Sequence, residues 1–162
     1  RRAVAATRYP PEGVRGVAGT HRASRFGTVD NYVKRANAEI CVIVQIETIS
    51  AFERLEEIAA VPGVDSIFIG PSDLAASMGH LGDAAHPAVQ EKLRAGAQAC
   101  RRRGLPCGIV GMSPEIVRKF LDYGFSWVAM GSDLGLMVAR AQENLAKLRG
   151  TPSAGDKGQP AY

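Results

Sequence analysis

A chain of 162 residues, 46% hydrophobic and 22% charged, can bury a real core and falls in the size range of one domain. Its net charge of +4 does not mark a nucleic-acid binder, because acidic residues are interleaved along the chain and no basic stripe alternates with aromatics. No apolar run approaches the roughly 20 residues that span a bilayer, and residues 1–11 lack the apolar segment of a signal peptide, so the chain reads as cytoplasmic, with no membrane partner.

Residues 1–20 are rich in Gly, Pro and Arg and supply no strong strand, and 31–38 reads as one short helix. From there strand-like and helix-like segments alternate. The spacing predicts strand 41–46, helix 50–60, strand 66–69, helix 87–103, strand 107–110, helix 113–123, strand 127–130 and helix 132–149. Ser50 and Ser113 suit N-caps, Pro87 and Pro114 suit first helical positions, and Gly104, Gly124 and Gly150 suit the residue after a helix, where φ is positive. Arg101, Arg102 and Arg103 stand at a helix end, where cations complement the dipole. The polar, aperiodic tail 151–162 is expected to be disordered, leaving 1–150 as the folded part.

Four βα units in series imply an α/β fold with a parallel sheet and right-handed crossovers. Four strands cannot close a barrel, which takes eight. No Gly-rich phosphate loop follows the first strand, as a doubly wound sheet would normally require. The expectation is half of a (β/α)8 barrel.

Cys41, Cys100 and Cys107 form no C-x-x-C pair, and an odd count suits a reducing compartment. Cys41 and Cys107 lie in apolar strand-like runs and read as core. Met78, Met112, Met130, Met137 and Trp127 read as packing.

Two apolar runs each end on a carboxylate: Val44-Gln45-Ile46-Glu47 and Ile67-Phe68-Ile69-Gly70-Pro71-Ser72-Asp73. Alone, Glu47 reads as a strand-end carboxylate facing water and Asp73 as a helix cap. Together at equivalent strand ends they suit a hard cation, Mg²⁺ or Mn²⁺, which keeps several waters and takes the rest of its shell from substrate oxygens. A 2-oxo acid chelates such a cation through its carboxylate and keto oxygen, and the cation stabilises the enolate formed when a bond β to the carbonyl breaks. A short helix starting at Gly70-Pro71-Ser72-Asp73 would aim backbone N–H groups at the substrate carboxylate. Gln45 lies on the same side of its strand as Glu47. His21, His80 and His86 read as loop residues, with His80-x-x-Asp83-x-x-His86 too loosely held for a metal cluster. The lysines fall in helices or the tail, so no Schiff-base lysine sits at a strand end.

At these residues the sequence resembles the HpcH/HpaI family of class II pyruvate-dependent aldolases. The likeness runs through Thr7-Arg8-Tyr9-Pro10-Pro11, Gly13-Val14-Arg15-Gly16, Val44-Gln45-Ile46-Glu47-Thr48, Gly70-Pro71-Ser72-Asp73-Leu74 and Val128-Ala129-Met130-Gly131-Ser132-Asp133. It implies a phosphoenolpyruvate/pyruvate-type TIM barrel in which Glu47 and Asp73 hold Mg²⁺, Mn²⁺ or Co²⁺, while Gln45 and the backbone at Ser72 contact the pyruvyl moiety. Within the family, residues 21–29 and 79–82 are most similar to the branch that cleaves 2-dehydro-3-deoxyglucarate to pyruvate and tartronate semialdehyde. The 4-hydroxy-2-oxoheptanedioate branch of aromatic catabolism is the alternative.

The resemblance further implies about four βα units ahead of this chain. Those units would carry a catalytic histidine base and an arginine that steadies the enolate, so no catalytic residue is assigned here. The chain alone is expected to bind metal weakly and turn over little. Two further readings are a CoA-thioester lyase and a non-catalytic remnant. Family members assemble as hexamers through the C-terminal helix, so the apolar residues of 132–149 are expected to pack on this barrel or a neighbour's.

Overall fold

A computed structural model describes residues 1–150; the tail predicted to be disordered, 151–162, lies outside the described residues. The elements are α1 (Arg2–Thr7), a 3-10 turn (Arg22–Ser24), α2 (Tyr32–Glu39), β1 (Ile43–Ile46), α3 (Ile49–Glu53), α4 (Leu55–Ala59), β2 (Ser66–Ile69) and α5 (Pro71–Ser77). Then follow α6 (Pro87–Arg102), β3 (Cys107–Val110), α7 (Pro114–Tyr123), β4 (Trp127–Ala129) and α8 (Asp133–Arg149). The four strands form one parallel sheet in the order β1-β2-β3-β4.

The punctuation of the sequence explains most boundaries. Ser113 caps α7 by accepting from Ile116 N–H, Pro87 and Pro114 open their helices, and Gly124 and Gly150 close α7 and α8 at positive φ. Two expectations need correction. The predicted helix 50–60 is two short helices: Thr48, not Ser50, supplies the cap, accepting from Ala51 N–H, and the chain breaks at Arg54 with φ −103° and ψ 15°. Helix α1 was not predicted. Six residues are too few to be helical alone, and tertiary contact holds it: a Cβ at Gly63 would lie 2.7 Å from Val4 Cγ1, so α1 sits hard against the turn before β2.

Period-2 alternation splits the sheet into two unlike faces. Ile46, Ile67, Ile69, Cys107 and Ile109 are buried against Leu55, Val89, Leu93, Ala97, Cys100 and Phe120 of the helices. Each such aliphatic side chain contributes on the order of 1.5–3 kcal/mol. α6 comes close because residue 96 has no side chain: a Cβ there would stand 2.6 Å from Ile69 Cδ1. The other face carries Ile43, Gln45, Ser66, Phe68, Gly108 and Trp127, with Ile43 49% exposed. Among the described residues the outer edges of β1 and β4 pair with no strand.

Cys107 is buried as expected and shares a hydrogen bond with Cys100, which together with burial pushes its thiol well above the usual range. Cys41 is exposed instead, ahead of β1, which begins at Ile43. Met130 and Met137, read as packing, are each 64% exposed, and α8 leaves Leu134, Leu136 and Leu148 in solvent. Its apolar residues therefore do not pack on the described sheet.

The surface of α8 is laced by Glu143, which pairs with Arg140 at 2.7 Å and Lys147 at 2.6 Å. Those two cations hold its carboxyl down at about 2. A depressed carboxylate stabilises above its unfolded value and loses that contribution as pH falls through the folded one. Helicity monitored by circular dichroism should therefore show a small acid loss between pH 4.5 and 2 that Glu143→Gln removes.

Candidate functional site

The register pairs Ile46 with Ile69, so Glu47 and Gly70 leave the sheet side by side at its C-terminal edge. Gly70 N–H donates to Ile46 O at 3.0 Å. A Cβ on residue 70 would lie 3.0 Å from Gln45 Nε2 and 3.1 Å from Glu47 Oε2. The missing side chain thus leaves room for Gln45 and Glu47, and Gln45 Nε2 donates to Glu47 Oε2. The Gln45 amide, read as a ligand contact, orients the neighbouring carboxylate here.

Pro71 opens α5 directly, placing Ser72 and Asp73 in its first turn. The loop after β1 is tied to the far end of the same helix, with Ile49 N–H donating to Ser77 Oγ at 3.0 Å. Glu47 is half-buried and Asp73 exposed. Among the described residues neither carboxylate has an ion-pair partner. Ser72 Oγ is buried and has no hydrogen-bond partner among the described residues. Two unneutralised carboxylates, an amide and an unsatisfied hydroxyl at one sheet edge are a donor set for a hard cation and an oxygen-rich ligand. No group of three or more His, Cys, Asp or Glu side chains positioned for a metal occurs among the described residues. The rest of a coordination shell would come from water or substrate.

The histidines are occupied elsewhere. His21 Nδ1 accepts from Ser24 N–H at 3.2 Å, and its Nε2 lies 3.5 Å from Tyr9 Oη. His86 caps α6 by accepting from Ala88 N–H, and its ring stacks on His80 with centroids 3.6 Å apart. Asp65, a carboxylate just ahead of β2 at the opposite edge of the sheet, accepts from Val42 N–H at 2.7 Å. The sequence offered no signal for the Gly70 gap, which depends on strand register, whereas the period-2 placement of Gln45 beside Glu47 was legible and their bond follows from it.

Three comparisons bear on this edge. The HpcH/HpaI aldolase/citrate lyase family model matches residues 1–139. The chain is 47% identical over 150 residues to 2-dehydro-3,6-dideoxy-6-sulfogluconate aldolase of Pseudomonas putida, covering 93% of this chain and 59% of that protein. It is 50% identical over 142 residues to 5-keto-4-deoxy-D-glucarate aldolase of Salmonella arizonae, covering 88% and 56%. A crystal structure of a family protein from Burkholderia cenocepacia superposes with a TM-score of 0.80 at 38% identity, over 90% of this chain and 58% of that one. The chain thus spans under three fifths of these relatives. With the matched segment running through both carboxylate-bearing strand ends and the fold that of a barrel sector, the chain belongs to the HpcH/HpaI aldolase/citrate lyase family.

Proposed function

We propose that this chain carries the cation-binding half of an aldolase that cleaves a 2-oxo-3-deoxy sugar acid, releasing pyruvate and an aldehyde. The observation that carries it is the pair Glu47 and Asp73 at one sheet edge, without a cationic partner among the described residues. The named relatives act on 2-oxo-3-deoxy acids that end in a carboxylate or a sulfonate, which supports the substrate class. Glu47 and Asp73 would hold Mg²⁺ or Mn²⁺. When bound, such a cation supplies Lewis-acid polarisation of the 2-oxo group, so that the C3–C4 bond can break.

The chain's own residues do the positioning. Gln45 orients Glu47, Gly70 leaves room for both of those side chains, and Ser72 presents a hydroxyl without a partner among the described residues. The proton leaving the C4 hydroxyl needs a base within hydrogen-bond reach. His21, His80 and His86 are engaged in loop structure, and the resemblance to the family assigns the base to βα units that complete the barrel. The complete protein is read as a cytoplasmic homo-oligomer acting on a small-molecule substrate.

A Mn²⁺ titration of this chain with and without oxalate, a planar dicarboxylate that mimics the pyruvyl oxygens, tests the reading. Weak binding that oxalate tightens, and that Glu47→Ala weakens at least tenfold, is the expected result. Binding by a folded chain that ignores Glu47→Ala would sink it.

A further inference from the structure

One row of residues crosses the uncovered face of the sheet. Gln45 on β1 registers with Phe68 on β2, Phe68 with Gly108 on β3, and Gly108 with Trp127 on β4. The place of the Gly108 side chain is taken by an indole: a Cβ there would stand 2.1 Å from Trp127 Cε2 and 2.2 Å from Cζ2. Lying across β3, that indole stacks on Phe68 with centroids 5.5 Å apart and planes inclined 29°. Its Nε1 donates to Ser66 Oγ at 3.1 Å, and Ser66 Oγ donates onward to Pro106 O at 2.9 Å. The indole is therefore fixed in position and in rotation.

Gln45 is the next residue in the row, and it holds the Glu47 carboxylate. Registered neighbours on adjacent strands have Cβ atoms about 5 Å apart. Phe68 is therefore the residue beside Gln45 on the next strand, and its ring is stacked on the far side against the indole. Without the indole, the space above Gly108 would stand open beside the Phe68 ring.

We infer that Trp127 is a positioning residue for the Gln45–Glu47 pair, acting through Phe68 from the far edge of the sheet. Only its link to cation binding rests on the function proposed above; the mechanical link to Gln45 does not.

The test is ¹⁵N relaxation of the Gln45 side-chain amide in this chain, beside Mn²⁺ titration. In the parent the amide should be ordered, and Trp127→Leu should lower its order parameter by about half while the amide resonances of the helices stay in place. Trp127→Phe, which keeps an aromatic stack, should restore most of that order. Ile109→Val, a core change on the opposite face, serves as the control and should lower stability without loosening Gln45. If Trp127→Leu does not fold, Phe68→Leu and Ser66→Ala carry the test, each expected to loosen the same amide.

An ordered Gln45 amide in every folded Trp127, Phe68 and Ser66 variant would overturn the proposal. So would equal loosening in Ile109→Val. If the parent binds no Mn²⁺ yet Gln45 loosens as described, the cation reading fails and the positioning role stands. If the parent binds Mn²⁺, Trp127→Leu should weaken it at least fivefold, and an unchanged affinity would overturn the link to the site.

Discussion

Gly108→Val should be among the most damaging single substitutions in the chain, lowering stability by about 3 kcal/mol or more. Its new side chain would enter space where indole atoms stand 2.1 to 2.5 Å from the Cβ position. The indole must then leave. It loses its stack on Phe68, worth on the order of 1 kcal/mol, and its bond to Ser66 Oγ, worth about as much. Urea unfolding followed by fluorescence reads both consequences, because Trp127 is the single tryptophan. The midpoint should fall, and native emission should shift to the red as the ring reaches water. Gly16→Ala is the matched comparison: nothing lies within 4 Å of its Cβ position, and its effect should stay within about 0.5 kcal/mol. An unchanged midpoint for Gly108→Val would mean the indole has another seat.

The second large effect is on chemistry. When the upstream βα units of a family member are joined to this chain, the hybrid should cleave 5-keto-4-deoxy-D-glucarate. Asp73→Asn should then lower kcat/KM by about a thousandfold, the scale expected when a Lewis-acid site loses a charged ligand. Coupled lactate dehydrogenase detection of pyruvate measures this directly. Asp65→Asn is the informative control, since that carboxylate serves Val42 N–H. It should reduce stability and leave the kcat of the folded fraction near that of the parent. Equal losses from both substitutions would show that Asp73 is structural.

How much was legible beforehand follows from the range of each signal. Local chemistry located the helices: Pro87 and Pro114 opened them, Ser113 capped, and glycines at 124 and 150 closed. Continuous apolar runs marked the strands, and their order in sequence became their order in the sheet. The carboxylates at the ends of two runs were visible because a residue just past a buried strand must emerge at the sheet edge.

What sequence could not show depends on contacts between distant residues. α1 is helical because Val4 meets the Gly63 turn. The break at Arg54 has no Pro or Gly to announce it. Trp127 read as ordinary packing, yet the indole lies over β3 and occupies the space above Gly108. Met130 and Met137 read as packing, yet each is 64% exposed.

Every strand here pairs with the one that follows it in the chain, β1 with β2, β2 with β3, β3 with β4. Among the described residues no pairing skips a strand, so each βα unit can dock once its own crossover helix and strand are made. Assembly can therefore proceed vectorially, from the Glu47 strand toward the Trp127 strand. The carboxylate edge would be in place first, and its aromatic wall last, when β4 arrives.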